Sequence, residues 1–362
     1  MKCINLFKSV ACVCSIGIVL FSQSGRCDQF NATKIAEFSK FENVESMVFH
    51  DNQLWVAKSI SLVSPPAYDN SVDVFDSSGR IHHATLQLPF LPDRMYPFSE
   101  HQVIVVGKHY SDHWRTYFSI ITSNPESYSV STTTLPKNYQ VDEFIGSPQA
   151  MFFGEPGSNK IYEYRRTLFG SSMTPLAPLI HGPGKMFMDG SDLWVIIRNG
   201  HAFGDENVGK INLDSQTMGK TFEQLREGIT NIYAMKNERV IVVNEIGRDQ
   251  ILFIDANANR LTDTLPIENA PYGFTELGSC LAVTGEKSIS FVKKAQGRHE
   301  VVIRWDLKTL GQNMDAPRNI AVDQQTNRLY VRSANMCPTC DLTRNSVFVF
   351  EPGADVLKAC VD

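Results

Sequence analysis

Three groups of residues in this 362-residue chain have the types and spacing to do chemistry. The first is the run His109-Tyr110-Ser111-Asp112-His113-Trp114. Two imidazoles and a carboxylate, His109, Asp112 and His113, are donors suited to zinc or another divalent metal. A later run, His201 to Glu206, adds one His and the carboxylates Asp205 and Glu206. Both runs read as loops, so their alternative is a solvated loop of ordinary polar residues. The second group is Cys337-Pro338-Thr339-Cys340. Such a pair can be half a zinc site, a redox couple or a small structural disulfide. No second pair completes a four-cysteine site, and the segment reads as a hairpin loop rather than the start of a helix. A local Cys337–Cys340 disulfide is therefore expected. The third group is dispersed: Glu45, Arg94, Glu143, Lys185, Asn231, Tyr272 and Arg318 each stand just before an apolar strand. If those strands share an axis, the seven side chains face one channel mouth. Arg94, Lys185 and Arg318 would then contact an anion, and Glu45 or Glu143 could serve as a general base. The alternative is that these charges pair with one another and with channel water.

The elements that must position these residues recur. An apolar strand, a polar turn and a second apolar strand repeat seven times. The second strands are Leu54 to Val56, Val103 to Val105, Ala150 to Phe152, Leu193 to Val195, Val240 to Val242, Leu281 to Val283 and Leu329 to Val331. Their first residues lie 49, 47, 43, 47, 41 and 48 positions apart. A third, alternating strand follows each, from Ser71 to Asp76 in the first repeat to Ser346 to Glu351 in the last. A weaker fourth segment closes the unit, as in His82 to Leu88 and Val301 to Leu307. Turn residues such as Asp76-Ser77-Ser78-Gly79 separate the strands. Four short strands per mid-forties repeat predict an all-β, seven-bladed propeller of four-stranded antiparallel blades. Two β-sandwiches are the competing architecture, but the repeat shows no break near its middle. Closure of the ring needs an outermost strand from one chain end, either Thr33 to Phe38 or Asp355 to Cys360. The loops between second and third strands share a rim with the channel mouth. They are long at 59–70, 108–115, 198–207 and 332–345, and three of the four belong to neighbouring blades.

The run from Ala316 to Val331, Ala-Pro-Arg-Asn-Ile-Ala-Val-Asp-Gln-Gln-Thr-Asn-Arg-Leu-Tyr-Val, resembles the repeat of YVTN-type β-propellers. Val242-Val-Asn-Glu245 with Ile251 to Asp255 resembles a second copy, and Ala270-Pro-Tyr-Gly273 the opening of a third. The likeness covers residues 228–352 and fades before residue 180. It implies a scaffold shared by lactonase-like enzymes, electron-transfer subunits and binding proteins, so it does not choose among them.

The N-terminus reads as a secretory signal. Lys2 and Lys8 precede an apolar run from Val10 to Phe21, followed by Ser22-Gln23-Ser24. Cleavage is expected after Ser24, with Gly25 or Arg26 as alternatives, leaving 25–362 as one propeller domain. Loss of the two lysines takes the net charge from −5 to −7. With no basic excess, nucleic acid is disfavoured as a partner, and no later segment is apolar enough to span a membrane. Five cysteines would remain. Because a ring brings its ends together, a Cys27–Cys360 bond is expected, with Cys280 as a buried free thiol. The sequon Asn31-Ala32-Thr33 matters only in a eukaryotic source. The chain carries no G-x-S-x-G, H-E-x-x-H, P-loop or G-x-G-x-x-G motif. The expectation is an exported, monomeric binding or interaction module, periplasmic or extracellular, with no obligatory cofactor, taking a protein or a small polar ligand. The alternatives are a lactonase- or lyase-type enzyme, with or without metal assistance, and an accessory subunit of a periplasmic redox complex.

Overall fold

The computed structural model describes residues 31–37, 42–60, 70–108, 115–135, 141, 143–147, 150–167, 170–198, 206–219, 221–222, 228–235, 238–258, 260–268, 270–307, 317–333 and 346–361. Strand β1 (Asn31–Glu37) opens the described chain. The first blade is β2 (Glu42–His50), β3 (Gln53–Ile60), β4 (Ser71–Asp76) and β5 (His82–Gln87). The second is β6 (Leu91–Ser99), β7 (Gln102–Lys108), β8 (Thr116–Asn124) and β9 (Ser127–Thr134). The third is β10 (Glu143–Gly146), β11 (Met151–Glu155), β12 (Lys160–Thr167) and β13 (Gly170–Pro178). The fourth is β14 (Gly182–Asp189), β15 (Asp192–Arg198), β16 (Asn207–Asn212) and β17 (Thr217–Met218). The fifth is β18 (Ile232–Met235), β19 (Val240–Glu245), β20 (Gln250–Asp255) and β21 (Arg260–Pro266). The sixth is β22 (Gly273–Leu277), β23 (Cys280–Thr284), β24 (Ser288–Ala295) and β25 (Arg298–Asp306). The seventh joins β26 (Pro317–Asp323), β27 (Arg328–Ser333) and β28 (Ser346–Glu351) to β1.

Each sheet is antiparallel, so the protein is an all-β, seven-bladed propeller. Second strands such as β7 and β19 are buried on both faces, because each is packed between two neighbouring blades. Outer strands such as β5 and β21 alternate between exposed and half-buried positions. Apolar second strands and polar outer strands thus follow from one fact: a blade has two inner seams and one wet edge. Seven apolar clusters fill the seven seams. One holds Trp55, Phe90 and Met95 between the first two blades, and another closes the ring with Leu54, Tyr330 and Val349. The turns use residues able to take positive φ. Asp51 and Asn52, both left-handed at 52° and 56°, make the tight hairpin between β2 and β3.

The N-terminal strand closes the ring: β1 pairs along β28 from Asn31 opposite Glu351 to Glu37 opposite Ser346. The other candidate for that role is not a strand. Residues Ala354–Cys360 form the short helix α1. The expected Cys27–Cys360 bond and the free Cys280 are both overturned, because Cys360 is bonded to Cys280. The helix explains the change. It turns the chain end away from β1 and under the sixth blade, where Cys360 meets the start of β23. Gly278, at φ 57°, makes room for it: a β-carbon there would lie 2.2 Å from the Cys360 carbonyl oxygen. Cys27, Cys337 and Cys340 lie outside the described residues, as does the signal-like segment. No helix among the described residues is long and apolar enough to cross a membrane.

Candidate functional site at the channel mouth

The inner strands are interrupted near the ends where the dispersed charged residues lie. Pairing between β2 and β3 slips between Val44 and Ser46, leaving Glu45 as the extra residue. The same slip falls at Asp93 in β6, at Gly184 and Lys185 in β14, and at Arg318 in β26. A bulge adds a residue without a partner and re-aims its side chain. Four of the seven blades therefore bulge at the same rim.

A cavity of about 440 Å³ opens at that rim. Of the seven residues predicted to face it, Glu45, Arg94, Lys185, Asn231 and Tyr272 line it. Glu143 does not. It is buried behind Arg94, whose Nη1 donates to Glu143 Oε2, while Arg198 Nη2 stands 3.9 Å from Glu143 Oε1. Glu143 Oε1 accepts no hydrogen bond from the described residues. Arg318 lies on β26, and its side chain is outside the described set. The cavity also takes Asp93 and Asn319, which the sequence reading missed, and Arg332, which it placed only at the start of the long rim loop 332–345. Asp93 is adjacent to the predicted Arg94. Arg332 stands near the end of a second strand, so no inner-strand pattern marks it.

The polar groups are held partly from neighbouring blades and partly from within their own. Arg332 Nη1 donates to the Glu45 carbonyl oxygen at 2.7 Å and ties the seventh blade to the first. Ser59 Oγ donates to Glu45 Oε1 at 2.5 Å. Burial pushes the Glu45 carboxyl up from its ordinary range, against the pull of Ser59 and Arg332, and Asp93 pushes it further up. Lys185 Nζ donates to Asn231 Oδ1, and Asn231 Nδ2 donates to the Tyr272 carbonyl oxygen at 2.6 Å. Asn231 is itself fixed by buried Asn244, whose Oδ1 accepts from the Thr230 and Asn231 backbone N–H groups at 3.0 and 2.6 Å. Lys185 keeps one flank toward the channel, yet protein encloses it. Desolvation, and then the charge of Arg94, lower its amine to about 7. The mouth thus carries guanidinium groups, an amine poised near neutrality and a carboxyl raised toward protonation. Clustered, perturbed groups in one concavity make it a candidate ligand site.

The metal donors His109, Asp112 and His113, and the run from His201 to Asp205, lie outside the described residues. Glu206 is described, and it accepts a hydrogen bond from the Ile229 backbone N–H. Among the described residues no group of three His, Cys, Asp or Glu side chains is placed to hold a metal.

No family model matches the chain, and no curated protein matches it. Among solved structures, it is similar to a chain in the crystal structure of a mitotic checkpoint complex. The TM-score is 0.63 at 10% identity, covering 97% of this chain and 99% of that one. At that identity the likeness speaks for the fold alone.

Proposed function

We propose that this protein is an exported propeller that binds a small anionic ligand, or an anionic group of a partner, at the channel mouth. The observation that carries this reading is the cavity of about 440 Å³ into which Arg94, Lys185 and Arg332 converge from the second, fourth and seventh blades. Convergent cations in a concavity favour an anion, and bidentate arginine contacts favour a carboxylate or phosphate. The signal-like N-terminus and the Cys280–Cys360 bond both suit an oxidising compartment. The YVTN-like run from Ala316 to Val331 suits a binding scaffold of that type.

Native mass spectrometry of the mature, unreduced protein, followed by calorimetric titration with small carboxylates and phosphates, tests the proposal. A stoichiometric anion that is lost at high salt supports it. A bare chain with no heat of binding for any anion overturns it.

A further inference from the structure

Lys185 is an unusual cation for the wall of a cavity. Among the described residues no carboxylate lies within ion-pair distance of it, and its polar partner is the neutral oxygen of Asn231. That oxygen cannot turn away. The Asn231 amide nitrogen is committed to the Tyr272 carbonyl, and its backbone N–H to Asn244. An amide oxygen can accept from an ammonium or from a free amine, so this hydrogen bond does not by itself require the charge. The neighbouring charge that acts on Lys185 is repulsive. Arg94 is close enough to disfavour protonation of Lys185, and one of its nitrogens is already held by Glu143. A third of the Arg94 side chain remains open. Lysines desolvated beside another cation are amine nucleophiles toward carbonyl carbons.

We propose that Lys185 forms an imine with a small 2-oxo carboxylic acid bound in the channel mouth. The class follows from two groups that line one cavity: a carboxylate for the part-open Arg94 guanidinium and an adjacent ketone for Lys185. The neutral amine attacks the carbonyl carbon. An N–C bond forms, and one amine proton passes to the carbonyl oxygen to give a carbinolamine. The C–O bond then breaks, and the hydroxyl leaves with the second amine proton as water. No oxidant or further reactant is needed, and the cavity opens to solvent to release the water. The inference rests on the anion-binding reading of the same cavity, and it adds a covalent step to it.

Reductive trapping tests it. The mature protein is incubated with pyruvate and cyanoborohydride just above neutral pH, then digested and mapped by mass spectrometry. The expected result is one reduced pyruvate adduct per chain, on the peptide holding Lys185, slowed by excess lactate and absent in Lys185→Arg. Mapping the wild-type chain locates the adduct whether or not the variant folds. Adducts spread over surface lysines, or no adduct, overturn the imine. Titration with lactate, which has the carboxylate but no ketone, separates the two claims. Lactate binding without an adduct leaves the anion site standing and removes the imine. Neither binding nor adduct removes both.

Discussion

The two rims of the propeller are built from similar residues and put to opposite uses. At the rim away from the channel mouth, charges form closed sets. His299 on β25 of the sixth blade lies 3.1 Å from both Glu238 and Asp263 of the fifth blade and stacks on Phe253. Both ring nitrogens are engaged, and the His299 backbone N–H adds a 2.6 Å bond to Asp263. Along the same rim His101 of the second blade reaches Asp51 of the first, and Tyr330 of the seventh donates to the Ser77 carbonyl. The Cys280–Cys360 bond also lies there, beside a 2.6 Å bond from the Ser279 N–H to the Cys360 carbonyl. At the mouth the sets stay open. Lys185 has an amide where a carboxylate would be expected, and behind the mouth Glu143 keeps one oxygen without a hydrogen bond among the described residues, 3.9 Å from Arg198. A closed set joins blades and resists change, whereas an open set at a cavity leaves bonding capacity for something else.

The largest expected effect breaks the closed rim. The Cys280–Cys360 bond closes a loop with a sequence separation of 80. Replacing both cysteines with Ala should cost roughly 4 kcal/mol, a central value for a loop of that length. Denaturant melts would read the loss, and anion binding at the mouth should be unchanged. If binding fell while stability held, the two rims would not be independent.

His299→Ala should rank next, at roughly 2–3 kcal/mol, from lost ring packing and two carboxylates deprived of the imidazole. Its pH signature is specific. The hydrogen bond from His299 is the main cause holding Glu238 below its ordinary value. Desolvation pushes Asp263 up, but the bonds from the His299 backbone and ring outweigh it and leave it lowered. A carboxylate depressed in the folded state adds stability above its unfolded value, and that share is lost as pH falls through the folded value. Wild type should therefore lose stability below about pH 4, the ordinary carboxylate range. The variant should lose less over the same acid window, as read from melts at stepped pH.

The same contrast explains what could be read in the sequence. The blades were legible because their cause is local: a second strand buried on both sides must be continuously apolar, and a hairpin needs turn residues. Ser71 to Asp76, Gln250 to Asp255 and Ser346 to Glu351 coincide with strands β4, β20 and β28. Five of the mouth residues were legible for a related reason, since ring symmetry brings equivalent positions together. The Cys280–Cys360 bond was not, because it depends on where a short helix leaves the last blade. Glu143 occupies the equivalent position but is buried behind Arg94, and only the packing of three adjacent blades shows that. The bulges at Glu45 and Asp93 escape notice because an extra residue leaves no mark in a period that already varies.

The smallest expected effect sharpens the open rim. Lys185 binds its proton less tightly in the folded protein, at about 7, than its ordinary value of 10.5. Between those values the unfolded chain carries the proton and the folded chain does not. Stability then rises with pH, because the unfolded state binds more protons. Wild type should gain on Lys185→Met by about 1 kcal/mol as pH climbs through that window, a figure discounted for the flank of Lys185 that faces the channel. At and below neutrality the Met variant should be the more stable of the two, since it removes a desolvated charge held only by an amide. The comparison is read as the difference between paired melts, so that other groups titrating in the window cancel. Parallel curves would mean that Lys185 keeps its ordinary proton affinity. The mouth would then be as wet as the outer surface, and the distinction between a closed rim and an open, ligand-ready one would lose its physical basis.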